Sequence, residues 1–335
     1  MIAGAGVDTW SICWYLPERS ASVKAMEELA TEPAARSRMM PTVIEGHRVG
    51  WFPAARMLFA EGHPAEGGLC PSDALPTAQA RITDALHDFG ILPPPHKLLP
   101  LTKMVGLNEV GLRSIGGTGF GGIRRLDSTV NIEFDRPAEG LAVLAGVAAV
   151  PVPRSKTQII REVGGRRVET VYFRGTSGKR VLGRWYDKGV ESGAAARGLF
   201  VRPEDQRRFP KEARLDVEAV AESNYARDAF VRRFEPLWRA SKGVKVAGAI
   251  ELAERIRELV EEGAMSPSEA KSAAGYLLLE TAQANCQSRA TRYRDRRRCA
   301  DHGLVLADGV LDEVELDLGE VIERALDSDC WGAQG

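Results

Sequence analysis

The chain has 335 residues, of which 44% are hydrophobic and 27% charged, a composition typical of a soluble globular protein. This length is sufficient for two domains with a sizeable core. No stretch approaches the ~20 consecutive apolar residues of a membrane helix, and the first residues lack the basic start and apolar run of a signal peptide, so we expect a cytoplasmic protein. The five cysteines are scattered without a CxxC pair, which argues against a disulfide framework or a structural zinc.

The net charge of −1 conceals a strong segregation of charge along the chain. Residues 151–214 carry a net charge of +9 and residues 299–335 carry −9, whereas residues 1–150 and 215–298 carry only −3 and +2. A basic segment of this size attracts polyanions through counterion release. The acidic C-terminal segment either covers that basic surface or is simply solvated.

Residues 7–16 are rich in aromatic and branched side chains and predict a strand with Trp10, Ile12 and Trp14 on one face. The residues after it predict, in chain order, an exposed helix, two short extended pieces and a helix that begins at a proline. Their ranges are 20–39, 42–52, 55–61 and 76–90.

A glycine-rich run, Gly116–Gly122, comes directly before the alternating pattern of residues 123–134. A dinucleotide-binding loop requires a helix after its glycines, but this pattern predicts a strand, so we interpret the run as a flexible turn. On the strand, Asp127 and Glu133 share one face, and Arg125 also lies there, two residues from Asp127. Asp127 is therefore either available to a ligand or paired with that arginine.

Short strand-like runs separated by glycine-containing turns predict a β-meander in the middle of the chain. With a helix before it at 138–150 and a further strand at 209–216, it completes a domain over residues 1–216. We predict an α+β fold there, a mostly antiparallel sheet covered by helices. The three runs of the meander are 155–163, 166–174 and 179–188.

From residue 217 onward the pattern is helical, and we expect a second region, 217–335, made of helices and the acidic tail. Residues Arg289–Arg298 contain seven charged residues in ten. A helix that basic either follows a phosphate backbone or lies solvated beside the acidic tail. The predicted helices are 217–240, 246–263, 266–301 and 318–328.

A tyrosine lies among cations in the last run of the meander. By the period of two along a strand, Arg184, Tyr186 and Lys188 face the same side. Tyrosine attack on a phosphodiester requires an activated phenolate, a cation at the scissile phosphate and usually a carboxylate-bound metal. Tyr172 is a rival nucleophile, and a half-buried sheet residue is the alternative interpretation of Tyr186.

Other catalytic motifs have no support in this sequence. The five histidines are far apart and include no His-hydrophobic-His pair, the metal motif of the common His-type nicking enzymes. The chain also lacks Gly-x-Ser-x-Gly, a Walker loop and His-Glu-x-x-His, so hydrolase, ATPase and zinc-protease functions are not indicated.

Four short motifs follow one another in the order and spacing of one protein family: Arg125-Leu-Asp127, Thr170-Val-Tyr-Phe173, Arg184-Trp-Tyr-Asp-Lys188 and Glu212-Ala-Arg214. In these motifs the chain resembles the Rep_trans-type initiators of rolling-circle plasmids and the related phage replication initiation proteins. The resemblance covers residues 120–216 well and 1–119 more loosely. It implies a DNA nicking and closing endonuclease that cuts one strand of origin DNA through a covalent phosphotyrosine and leaves a 3′-hydroxyl for the host polymerase.

The resemblance also implies roles for individual residues. Asp127 and Glu212, with Glu133 as a third, would hold Mg²⁺ or Mn²⁺, Tyr186 would be the nucleophile, and Arg184 and Lys188 would contact the phosphate. We expect further DNA contacts from basic residues of the meander and the C-terminal region: Arg174, Lys179, Arg180, Arg214, Arg292 and Arg296.

The near-neutral net charge and the long helical C-terminal region depart from a compact initiator. That region could read the origin sequence or recruit a host helicase. The protein could also form a homodimer. Two other functions remain open: a non-catalytic DNA-binding protein that retains the initiator fold, and an interaction module whose acidic tail binds a basic partner.

Overall fold

The structure is a computed structural model of the full chain. It describes residues 1–16, 42–52, 56–66, 68–100, 118–162, 167–175, 181–192, 197–210, 213–247, 249–281, 288–306, 315–327 and 331. Within these residues, no helix is both long enough and apolar enough to cross a membrane.

Among the described residues, nine strands form one large sheet in the order β2-β3-β4-β1-β5-β9-β8-β7-β6. The predicted α+β class, a largely antiparallel sheet with helices, is confirmed. The strands are β1 Ile2–Tyr15, β2 Thr42–Ile44, β3 His47–Phe52, β4 Met57–Gly62, β5 Gly119–Glu133, β6 Ser155–Arg161, β7 Val168–Gly175, β8 Val181–Asp187 and β9 Phe200–Arg208.

Helices and a small second sheet complete the described elements. In the small sheet, β10 pairs with β11 in parallel and with β12 antiparallel; these strands are Lys245–Ala247, Leu304–Leu306 and Glu315–Asp317. The helices are α1 Leu75–Asp88, α2 Pro137–Ala149, α3 Lys188–Ser192, α4 Val217–Glu222, α5 Tyr225–Ser241, α6 Ala249–Glu261, α7 Pro267–Thr281, α8 Arg289–Asp301 and α9 Leu318–Leu326.

The chain divides into two compact units, each assembled from separate segments. One, named here the meander unit, consists of Met1–Gly4, Val130–Asp205 and Phe230–Gly332. The other, the N-terminal unit, consists of Ala5–Thr129, Gln206–Ala229 and Ala333–Gly335. The predicted boundary between residues 216 and 217 stays a prediction.

In the meander unit, the alternation of residues along β7 and β8 separates an apolar face from a polar one. Trp185 on β8 is fully buried, and its ring lies edge-on to Phe234 of α5, with centroids 5.9 Å apart. Val171 and Phe173 on β7 are buried as well. The residues between them in sequence, including Tyr172, therefore lie on the other face of these strands.

A second core of the meander unit lies among its C-terminal helices. Leu252 and Ile256 of α6, Leu277 of α7 and Cys299 of α8 are buried together. Apolar residues at i and i+4 on one helix face produce such a core. The burial of Cys299 fixes which face of α8 points inward.

In the N-terminal unit, β1 carries the aromatic core. Trp10, Ile12 and Trp14 are fully buried, which confirms the predicted strand and its apolar face. The indole nitrogen of Trp10 donates to Nε2 of His47 across 2.9 Å. This bond satisfies the one polar atom of a buried indole.

Three sequence predictions of local structure are wrong. Residues 209–216 contain no strand among those described, because the strand of this region is β9 and Leu215 makes only an isolated bridge to Ile123. Lys188 is not a strand residue, since β8 ends at Asp187 and α3 begins at Lys188. Residues Gly119–Gly122 lie inside β5 instead of a turn.

Other boundaries are refined. The predicted helix 217–240 is the pair α4 and α5, and the predicted helix 266–301 contains α7 and α8. The three strands of the small sheet were not predicted, because each has only three residues. The helix predicted at 20–39 lies outside the described residues.

Candidate active site

A tyrosine, an arginine and a carboxylate meet on the polar face of β8 and β9 in the meander unit. The hydroxyl of Tyr186 donates to Oε2 of Glu204 across 3.3 Å. Arg184 donates through Nε to Oε1 and through Nη2 to Oε2 of the same carboxylate, at 2.9 and 2.8 Å. Its guanidinium also lies 4.2 Å from the centre of the Tyr186 ring. These three residues are called the tyrosine cluster below.

The local sequence explains this arrangement. Arg184 and Tyr186 are two residues apart on β8, so both face away from the buried Trp185 between them. On the neighbouring β9, Arg202 and Glu204 alternate in the same way, and Arg202 donates through Nε to the side-chain oxygen of Asn131 at 2.6 Å. A planar guanidinium suits a carboxylate in this two-bond geometry.

Burial sets the electrostatics of the tyrosine cluster. Glu204 is fully buried and Tyr186 is 3% exposed. Burial, and then the negative charge of Glu204, raise the pKa of Tyr186 far above its ordinary value. For Arg184, burial alone would lower the pKa, but the hydrogen bonds and charge of Glu204 outweigh it and raise the pKa. In this state the phenol is protonated and Glu204 is positioned to accept its proton.

Tyr172, the rival nucleophile, lies on the same polar face. It pairs with Arg184 in the register between β7 and β8, and Thr170 pairs with Tyr186. Its side chain is only half-buried. Directly opposed residues on one sheet face have neighbouring Cβ atoms. Tyr172 is therefore the more accessible tyrosine, and Tyr186 is the one with a carboxylate acceptor.

Glu191 of α3 forms ion pairs with both cations that the resemblance places at the scissile phosphate. Lys188 Nζ lies 2.6 Å from Oε2 of Glu191, and Arg184 Nη2 lies 3.7 Å from Oε1. Asp187 fixes the start of α3, because its carboxylate accepts hydrogen bonds from the backbone nitrogens of Gly189 and Gly198. A phosphate at this position would compete with Glu191.

A different cluster surrounds Asp127 in the N-terminal unit. Arg125 donates through Nε to Oδ1 of Asp127 at 3.0 Å and through Nη2 to Oδ2. The same guanidinium lies 2.7 Å from Oε1 of Glu61, and the side-chain amide of Gln206 lies against Arg125 and Asp127. Asp127 is fully buried. These residues form the aspartate cluster, in which Asp127 is paired with the arginine two positions away.

The three predicted metal ligands have different surroundings. Asp127 is fully buried, Glu133 is exposed at the end of β5, and Glu212 lies outside the described residues. Within the part of the chain that the structure describes, no group of three His, Cys, Asp or Glu side chains could hold a metal ion. Both oxygens of Asp127 already accept from Arg125. The divalent metal thus stays a prediction.

The predicted DNA-binding residues have different surroundings. Arg174 is exposed on β7, whereas Arg214 donates to the hydroxyl of Tyr15 and to Cys13 Sγ in the N-terminal unit. Arg292 and Arg296 are half-buried on α8, and Lys179 and Arg180 lie outside the described residues.

Glu204 is the site residue that the sequence analysis missed. Its signal was the alternation of Arg202, Glu204 and Gln206, which is the period of a strand with one polar face. Pro203 obscured it, because a proline argues against a strand interior.

The molecule is thus an α+β protein whose large sheet carries a buried tyrosine–arginine–glutamate cluster. No family model matches the chain, and no curated protein matches it. Among solved structures, the chain is similar to a rolling circle replication initiator protein from Geobacillus stearothermophilus, with 14% sequence identity and a TM-score of 0.30 over 65% of this chain and 79% of that one. A likeness this distant carries no argument about function.

Proposed function

We propose that the protein initiates rolling-circle replication of a phage or plasmid by nicking one strand of origin DNA through a tyrosine. The tyrosine cluster is the observation that carries the proposal, because it joins a phenol, a proton acceptor and a cation within hydrogen-bond distance. The order of the four sequence motifs and the charge of +9 on residues 151–214 also support it.

In the proposed reaction, the oxygen of Tyr186 attacks the phosphorus of the scissile phosphodiester while Glu204 accepts the phenolic proton. The bond from phosphorus to O3′ breaks, and the departing oxygen takes up the proton that Glu204 accepted and becomes a 3′-hydroxyl. The new bond links Tyr186 to the 5′-phosphate. Attack by a 3′-hydroxyl on this linkage reverses the step and closes the strand, so no cofactor is consumed.

Arg184 would stabilise charge during this step. Its Nη2 lies 3.5 Å from the Tyr186 hydroxyl, close enough to favour a developing phenolate and the phosphate that it attacks. Because Tyr186 is 3% exposed, the attack requires the side chains around its hydroxyl to open and admit the phosphate. Tyr172, which needs no such opening, is the alternative nucleophile in the same proposal.

Mg²⁺ or Mn²⁺ bound by Asp127, Glu133 and Glu212 is part of the proposal that awaits a test. Such an ion would supply a positive charge to the scissile phosphate. Binding at Asp127 would require Arg125 to release that carboxylate.

The test incubates the protein with single-stranded and supercoiled origin DNA and Mg²⁺ or Mn²⁺, and maps any DNA-linked tyrosine by mass spectrometry. We expect Tyr186→Phe to abolish the adduct and the nicked product while DNA affinity is unchanged. Tyr172→Phe is the matched variant on the neighbouring strand and should nick normally; the reverse pattern would assign the nucleophile to Tyr172. Normal nicking by the double variant would contradict the proposal.

A non-catalytic DNA-binding protein is the second candidate, favoured by the burial of Tyr186 and the complete pairing of Asp127. It predicts that no covalent adduct forms with either metal, while affinity still falls steeply with salt.

A further inference from the structure

A groove of about 420 Å³ opens in the meander unit beside β6, the last strand of the large sheet. Helix α8, strand β6 and the residues that follow α2 all line it. The polar or aromatic lining residues are Ser155 and Thr157 of β6 and Tyr293, Arg296 and Arg297 of α8.

Tyr293 is an unusual residue for a helix that packs on a protein core, because 67% of its surface is exposed. The helix itself is held firmly: Cys299 and Asp295 face inward and are buried, and the Ser288 side chain accepts from the backbone nitrogen of Thr291 at its start. Since an anchored helix presents a fixed outer face, Tyr293 is displayed at the groove.

The groove has a positive lining. Arg296 and Arg297 contribute guanidinium groups, and no aspartate or glutamate occurs among the described residues that line it. Arg296 is fixed by a bond from Nη2 to the carbonyl oxygen of Ala148 at 3.2 Å. Arg154, the residue directly before β6, is exposed as well. The ligand that suits this lining is therefore anionic.

The remaining lining is apolar. Val150, Pro151 and Val152 follow α2, and Ile159 comes from β6. An apolar surface beside an exposed aromatic ring and arginines can receive the face of a nucleobase and a neighbouring phosphate at once.

We infer that this groove binds single-stranded DNA, with a base stacked on Tyr293 and the adjoining phosphates held by Arg296 and Arg297. A single strand is favoured over a duplex because only unpaired bases offer a free face to an aromatic ring. The inference rests on the proposed function for the identity of its ligand, since nicking and replacement of one strand release a single strand from the duplex. It extends that function by giving α8 a role away from the tyrosine cluster.

Binding of a fluorescent 12-nucleotide oligo-dT by the full chain, measured by anisotropy in EDTA, tests the inference without any nicking. We expect Tyr293→Ala to weaken binding about tenfold, because one stacked base is lost. Tyr293→Phe keeps the ring and should bind within about twofold of the unchanged protein. Arg297→Ala should weaken binding and reduce the slope of log affinity against log salt by about 0.7.

Arg257→Ala is the control, since Arg257 is an exposed arginine of α6 outside the groove and its loss changes the net charge equally. It should leave the oligo-dT affinity within about twofold. Circular dichroism of each variant checks that α8 remains folded.

Unchanged affinity in Tyr293→Ala would overturn the inference. The inference would also be overturned if Tyr293→Ala weakened the binding of a 12-base-pair hairpin as much as the binding of oligo-dT. That result would make α8 a duplex-binding helix. The proposed function is tested separately, by Tyr186→Phe and Tyr172→Phe. These variants test nicking and should not alter the affinity for oligo-dT. Normal nicking by the double variant would contradict the proposed nicking function but would not affect the conclusion from oligo-dT binding.

Discussion

The tyrosine cluster and the aspartate cluster use the same ingredients in different ways. In each, an arginine holds a fully buried carboxylate with two hydrogen bonds. In the aspartate cluster the two partners lie two residues apart on β5, whereas Arg184 and Glu204 come from different strands. Glu204 also accepts a tyrosine hydroxyl. Pairing between β8 and β9 therefore brings a phenol to the carboxylate as well as an arginine.

The second partners of the arginines differ as well. Arg125 is held by Glu61 at 2.7 Å, but Arg184 reaches its second carboxylate, Glu191, only at 3.7 Å. Removing the main carboxylate should therefore lower the free energy of unfolding more in the tyrosine cluster than in the aspartate cluster. This difference makes the comparison measurable.

The largest effect is expected for Glu204→Gln, which leaves the partly buried Arg184 and the hydroxyl of Tyr186 without their anion. We expect the free energy of unfolding to fall by about 3 kcal/mol, measured in urea, and nicking to be lost. Glu235→Gln, which removes an exposed carboxylate paired with Arg239, is the control and should change stability by less than about 0.5 kcal/mol. A neutral effect of Glu204→Gln would show that the cluster contributes no net stability.

Asp127→Asn should cost less, about 2 kcal/mol, because Glu61 still balances the charge of Arg125. The same variant tests the metal. If Asp127 is a ligand, Mn²⁺ raises the melting temperature of the unchanged protein but not of the variant. Equal Mn²⁺ shifts in both proteins would remove Asp127 from the ligand set.

Alkaline pH should separate the clusters, because only one contains a titrating phenol. The pKa of Tyr186 is raised above its unfolded value near ~10, so above that pH the folded state binds more protons than the unfolded state. Stability contributed by the neutral phenol is complete below pH ~10 and falls by up to about 1.4 kcal/mol per pH unit above it. Urea unfolding between pH 8 and 11 should show a shallower decline for Tyr186→Phe; parallel curves would contradict the raised pKa.

The smallest effect concerns Glu191. Glu191→Gln releases Lys188 and weakens the hold on Arg184, so we expect a few-fold tighter binding of single-stranded DNA with stability changed by less than about 0.5 kcal/mol. Glu162→Gln, which removes a carboxylate paired with Arg197, is the control, because it changes the net charge by the same amount. A similar gain in both variants would assign the effect to net charge alone.

Strand alternation predicted one half of the tyrosine cluster. Arg184 and Tyr186 share a face because they are two residues apart, and the meander that carries them was recognised from its turns. The predicted third member, Lys188, is displaced because the strand ends one residue before it.

Glu204, the other part of the tyrosine cluster, could not be predicted from the sequence, because its position depends on which strands become neighbours in the sheet. Strand β9 lies between β5 and β8, an order that skips over the meander and has no local signature. Asp127 shows the opposite case: its pairing with Arg125 was one of two interpretations, and the strand period alone could not choose between an ion pair and a ligand.

The placement of Glu204 on β9 also has a consequence for biosynthesis. The ribosome makes Tyr186 and Arg184 before the carboxylate that holds them, and Glu204 follows only after α3 and the connection to residue 200. A nascent chain that ends before β9 has the phenol without its acceptor. Strand pairing that skips elements forms slowly relative to neighbouring hairpins. The tyrosine cluster is therefore complete only after β9 has taken its place between β5 and β8.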